Sequence, residues 1–347
     1  MGAKRRFPLS TDPKREKRAA PAETPEAKRD IVTIQGLQTP SDRSGPVEDA
    51  AAVDVLRERA ATSLERGLGF VCDYGDELAE LRANVTLEAA SQGECVEAVA
   101  RHQREDGSFD PLGFVFSGAT IAELRAARVS RPLIGTLEAF SVLADVRALA
   151  SGCAERAVEF LTRMQRSDGS YGYSNPAAER AATDEASWGE AVSDRLFLTG
   201  MFAGFAARTP YVRPEVLTSA ATFLRRLFGP DRIEQGGWGT IAAFAHFYAN
   251  GGDGELADEA LQWCGRELER GFRTHRFEAT QTIRVLLYCD SRALPGATFD
   301  IVELLDRLLE EQAGDGGFAP LDPAGPPGRV APTLDALIAI RALCRAL

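Results

Sequence analysis

The chain has 347 residues, 44% hydrophobic and 26% charged, so a packed core is expected. Its net charge of −11 argues against a nucleic-acid groove over the whole fold, because phosphate binding needs a basic surface. No apolar run reaches the roughly eighteen residues of a membrane span, and the basic N-terminus lacks the apolar core of a secretory signal.

Residues 1–45 are rich in Pro, Lys, Arg, Glu and Ala and poor in large apolar side chains. Such a segment buries too little area to offset its chain entropy, so a disordered tail is expected. The basic cluster Lys14–Arg18 offers a peripheral contact to an acidic lipid or partner surface, although a solvated tail is the simpler reading. The rest, 46–347, reads as a single helical domain. Six cysteines (72, 95, 153, 264, 289, 344) form no CxxC pair, as expected for buried free thiols in a reducing cytoplasm.

From there the pattern is helical almost throughout, and two kinds of helix alternate. Helices are expected at 95–103, 155–165, 217–228, 258–271 and 299–312, four of them amphipathic with a charged face and 217–228 the weakest. Apolar helices rich in small residues are expected at 134–146, 193–207, 240–249, 278–289 and 333–343. Three amphipathic helices run into one motif: QREDGSF (103–109), QRSDGSY (165–171) and QAGDGGF (312–318). A shortened copy, EQGGW, follows at 234–238. The motif glycines suit the positive φ that ends a helix sharply, and the Asp suits a turn cap. One such pair cannot bury both of its helices, so neighbours must stack. The expected class is all-α, an α/α toroid of about five or six helix pairs, with charged helices outside and apolar helices inside.

The Gln-x-x-Asp-Gly-small-aromatic motif, set between an outer and an inner helix, resembles the QW-type repeat of squalene–hopene cyclases, class II terpene cyclases and protein prenyltransferase β subunits. The resemblance covers roughly residues 50–347 and implies a toroid whose central cavity takes a hydrophobic, isoprenoid substrate. Class II cyclases protonate an alkene with an Asp-x-Asp-Asp motif at the start of an inner helix. This chain has no such motif, and its counterpart by position, Pro332-Thr333-Leu334-Asp335, keeps only the last Asp. The zinc ligands of the prenyltransferases and the DDxxD magnesium motif of class I synthases are not visible either. No cofactor is expected, unless a diphosphate substrate brings magnesium.

Acids in the inner helices are the candidate catalysts, because charges are seldom buried there without a role or a partner. Glu190 and Asp194 lie four apart, on one helix face, and a close carboxylate pair raises one pKa enough to make a proton donor. Helix capping competes as an explanation. Glu278 and Asp335 begin two further inner helices, so all four acids are expected around one mouth. Trp188, Phe197, Phe244, His246 and Arg284 are candidate pocket residues, the aromatics through cation–π attraction to carbocations and Arg284 as an ion-pair or diphosphate partner. The leading expectation is acid-initiated cyclisation of a polyprenyl substrate. A non-catalytic toroid binding a lipid or protein partner is the alternative, and a glycan-acting toroid with two carboxylates is a third.

Overall fold

The computed structural model describes residues 46–112, 131–172, 190–252, 254–319 and 325–347. The tail expected at 1–45 lies outside them. Residues 45–347 form one compact unit.

That unit is all-α, and among the described residues it contains no strand. Its first helices are α1 (Pro46–Tyr74), α2 (Glu77–Thr86), α3 (Gln92–Ala100), α4 (Arg131–Asp145) and α5 (Gly152–Met164). Next come α6 (Glu190–Ala207), α7 (Pro214–Leu227), the short α8 (Pro230–Gln235) and α9 (Gly237–Asn250). The last are α10 (Gly254–Arg273), α11 (Ala279–Tyr288), α12 (Ile301–Glu310) and α13 (Val330–Cys344), the last entered through a 3-10 turn at Pro326–Arg329. Local chemistry sets several starts. Asp76 and Asp300 each accept from a first-turn amide, Ser91 and Glu94 form a capping box, and Pro214 opens α7 where no N–H is needed.

The two expected kinds of helix are present. α5 buries only the stripe Cys153, Ala154, Ala157, Val158, Phe160 and Leu161. In α9, by contrast, every residue from Thr240 to Tyr248 is buried. Segregated apolar stripes suit helices with one wet face, and helices apolar all round must be enclosed. The enclosed helices and the half-buried α2 touch in chain order: α2 on α4, α4 on α6, α6 on α9, α9 on α11 and α11 on α13. α13 then touches α2, so the contacts close on themselves. α1 packs against α12 and α13, joining the first amphipathic helix to the end of the chain.

Two sequence expectations need correction. The shortened copy at 234–238 is not a motif turn: its residues end α8 and begin α9, and Trp238 Nε1 donates to the Gln281 carbonyl at 2.8 Å. The cysteines are unpaired, but Cys72 is exposed rather than buried.

Candidate functional site

The three full motifs build the same turn. Each glycine has positive φ, at 84°, 86° and 91° for Gly107, Gly169 and Gly316. Each also lies against the backbone of another amphipathic helix. A Cβ would come within 2.3 Å of the Arg156 oxygen, 2.0 Å of Ser219 and 2.5 Å of Arg66. The glutamine amide donates both within its own turn and across to that same helix: Gln103 to Cys153, Gln165 to Val216 and Gln312 to Ser63. Asp106, Asp168 and Asp315 each accept from the amide two residues on. The aromatic amide then donates to a threonine of an apolar helix, in the first turns for Thr136 and Thr333 and mid-helix for Thr199: Phe109 to Thr136, Tyr171 to Thr199 and Phe318 to Thr333. Arg195 and Arg329, each four residues before its threonine, pair with Asp168 and Asp315. Arg195 therefore belongs to a turn.

Elsewhere in the fold, α2, α4, α11 and α13 bring charges together. Arg82 on α2 donates through Nη2 to Asp145 at 2.5 Å and to Asp335 at 3.0 Å. Arg284 on α11 donates to both Asp145 oxygens, at 2.7 and 3.2 Å, and to the Ser141 hydroxyl at 2.5 Å. Its Nη1 also lies 3.7 Å from Asp335. Burial pushes the Asp145 carboxyl up, but Arg284 and Arg82 outweigh it and hold that carboxyl below its ordinary range. For Asp335 burial wins, against the same two cations, and its pKa is raised. α4 and α11 stand three steps apart in the cycle of six contacts, so the Asp145–Arg284 bond joins its opposite members.

Aromatic rings pack beside these ions. The guanidinium of Arg284 lies 4.8 Å from the centre of the Tyr288 ring, His246 stacks on Tyr288 at 5.2 Å, and Phe205 meets His246 edge-on at 4.4 Å. His246 is fully buried, and neither ring nitrogen has a hydrogen-bond partner among the described residues. Burial, with Arg208 and Arg284 nearby, holds its pKa well below the usual histidine value, so it is neutral.

The remaining candidates are placed elsewhere or lie outside the description. Trp188 is outside the described residues, as is the Glu190 side chain, although Glu190 is the first residue of α6. Asp194 is half-buried one turn further on. Glu278 is exposed just before α11, and its amide donates to Gln281. Glu311 sits beside it and takes the free amides of Ala279 and Thr280. Phe197 is a core residue, and Phe244 packs against Phe228 at the end of α7 and against Tyr248. Of the nine candidates, Asp335, Arg284 and His246 are thus brought into one neighbourhood. Sequence reasoning missed Arg82, Asp145 and the three threonines. A signal existed for Asp145, a charge at the end of an apolar helix, and for the repeated Arg-x-x-x-Thr of 195–199 and 329–333.

Among the described residues, no group of three His, Cys, Asp or Glu side chains is placed to hold a metal ion, and no helix is long and apolar enough to cross a membrane. Comparison with family models, curated proteins and solved structures finds no match to this chain.

Proposed function

We propose that residues 45–347 are a closed α/α toroid of six helix pairs, and that it serves to bind a lipid or protein partner rather than to start a cyclisation with acid. The closed order of contacts among the apolar helices supports the toroid. So does the third motif, whose Gln312 reaches back to Ser63 on the first helix. The functional reading rests on one observation: Asp335, the positional counterpart of the cyclase acid, lies against both Arg82 and Arg284. A proton donor to an alkene must be neutral and must face its substrate. Burial raises the Asp335 pKa, but its carboxyl is engaged by Arg82 at 3.0 Å, with Arg284 3.7 Å away, instead of being left to face a substrate.

A second reading keeps the cyclase, with Asp194 as acid and Glu190 as its helper. Its support is the half-buried position of Asp194 near the start of α6, away from the Arg82–Asp335 pairing. Incubation with squalene and with geranylgeranyl diphosphate, followed by mass spectrometry of the extract, separates the two. The binding reading expects unchanged substrate. Cyclised product that disappears in Asp194→Asn would establish the second reading and end the first. Mass spectrometry of whatever lipid or protein co-purifies would then name the partner.

A further inference from the structure

Arg82 and Arg284 share two carboxylates inside the contact cycle, Asp145 and Asp335, and a third guanidinium, Arg208, lies near enough to feel Arg284 and Asp145. Arg208, one residue beyond α6, is half-buried and makes no ion pair or side-chain hydrogen bond among the described residues. The chain places its backbone beside this cluster: Arg208 lies three residues after Phe205, whose ring meets His246 at 4.4 Å, and its amide donates to the Phe205 carbonyl. Asp290, exposed at the end of α11, attracts Arg208 without reaching it, and Asp145 does so from within.

The donors around this point are unusually unmet. The Nε donor of Arg284 is buried without a partner among the described residues, and so are the donor nitrogen and the acceptor nitrogen of the neutral His246 ring. Leaving buried donors unpaired costs about 1–3 kcal/mol each, and more for charged groups, so such a set calls for an acceptor. Two features select an anion as that acceptor. The unpaired cation is Arg208, and guanidinium forks match the oxygens of phosphate and carboxylate. The neutral imidazole can add one N–H, or two once protonated. Arg208 is half-buried and Asp290 exposed, so the cluster meets solvent at the C-terminal ends of the apolar helices, away from the motif turns.

We propose that Arg208, Arg284 and His246 form a binding site for a tetrahedral oxyanion of the phosphate class. The site is independent of which lipid or protein the toroid binds. Asp290 acts as its gatekeeper, competing for Arg208 when the site is empty.

Isothermal titration of the full chain with inorganic phosphate, in a chloride buffer of matched ionic strength, tests this. Saturable binding is expected in the wild type. Arg208→Gln, which breaks no ion pair, should weaken it at least about tenfold, the worth of one charge-assisted hydrogen bond. His246→Phe should weaken it and remove its strengthening at lower pH. Asp290→Asn should tighten it, an effect that a merely structural defect would not produce. A monoalkyl phosphate binding more tightly than inorganic phosphate would identify a lipid headgroup as the natural source, and equal binding would identify free phosphate. Absence of wild-type binding to either probe overturns the proposal. So does binding left unchanged by both Arg208→Gln and His246→Phe.

Discussion

A buried imidazole with no hydrogen-bond partner among the described residues makes His246 a pH-dependent weak point. Its folded pKa is depressed, while in the unfolded chain it titrates near about 6.5. Below that pH the unfolded chain takes up a proton that the folded one refuses. Stability is therefore complete above about pH 6.5 and falls as the pH drops, by up to about 1.4 kcal/mol per unit. Arg208 and Arg284 extend the loss to lower pH, because both repel the charged form and depress the folded pKa further. Urea unfolding in phosphate-free buffer at pH 7.5 and 5.5 should show the loss, and His246→Phe should remove most of it. An identical pH difference in that variant would show that other groups are responsible. The motif glycines fail differently. Gly169→Ala places a Cβ at φ 86°, 2.0 Å from a backbone oxygen that cannot move freely. The backbone strain alone is worth about 1–3 kcal/mol, and the clash adds to it. Gly314, which meets nothing within 4 Å, should tolerate alanine and serves as the control.

The elements were legible where periodicity was strong. Charged and apolar helices alternate because each kind carries its burial pattern in its own residues, from the stripe of α5 to the enclosed run of α9. α2 escaped notice because ELAELRANVT is too polar to look enclosed. Its Arg82 is nevertheless fully buried, and only partners more than sixty residues away explain that. EQGGW misled for the opposite reason: its composition fits the motif, but the Asp that folds the turn is missing, and the segment continues into helix. The threonines were invisible because their role depends on an amide 15 to 28 residues away in sequence. Thr199 accepts from Tyr171 and donates to the Arg195 carbonyl, so it couples a turn to α6. Thr199→Val keeps the shape and leaves a buried amide unpaired, which should cost about 1–3 kcal/mol in equilibrium unfolding. Thr199→Ser should recover most of it. If valine and serine behave alike, the hydroxyl is not the link.

Across the described residues, two of the ties between distant elements differ in kind. One is peripheral, where Gln312 and Arg66 join the final motif turn to α1. The other is central, where Asp145 and Arg284 connect opposite members of the contact cycle. A buried ion pair of this kind need not stabilise the fold relative to a well-packed apolar pair, because desolvating both charges is costly. Breaking it from one side is another matter. Asp145→Leu leaves Arg82 and Arg284 with Asp335 as their one carboxylate among the described residues. Arg284→Met leaves Asp145 to Arg82 alone. Each single change should therefore cost about 3–5 kcal/mol. The double variant should cost less than the sum by about 0.5–3 kcal/mol, since the charge stranded by one substitution is removed by the other. Urea denaturation of the four proteins gives that coupling directly. Strict additivity would mean that the two residues act separately, and the cross-cycle tie would then have no energetic content.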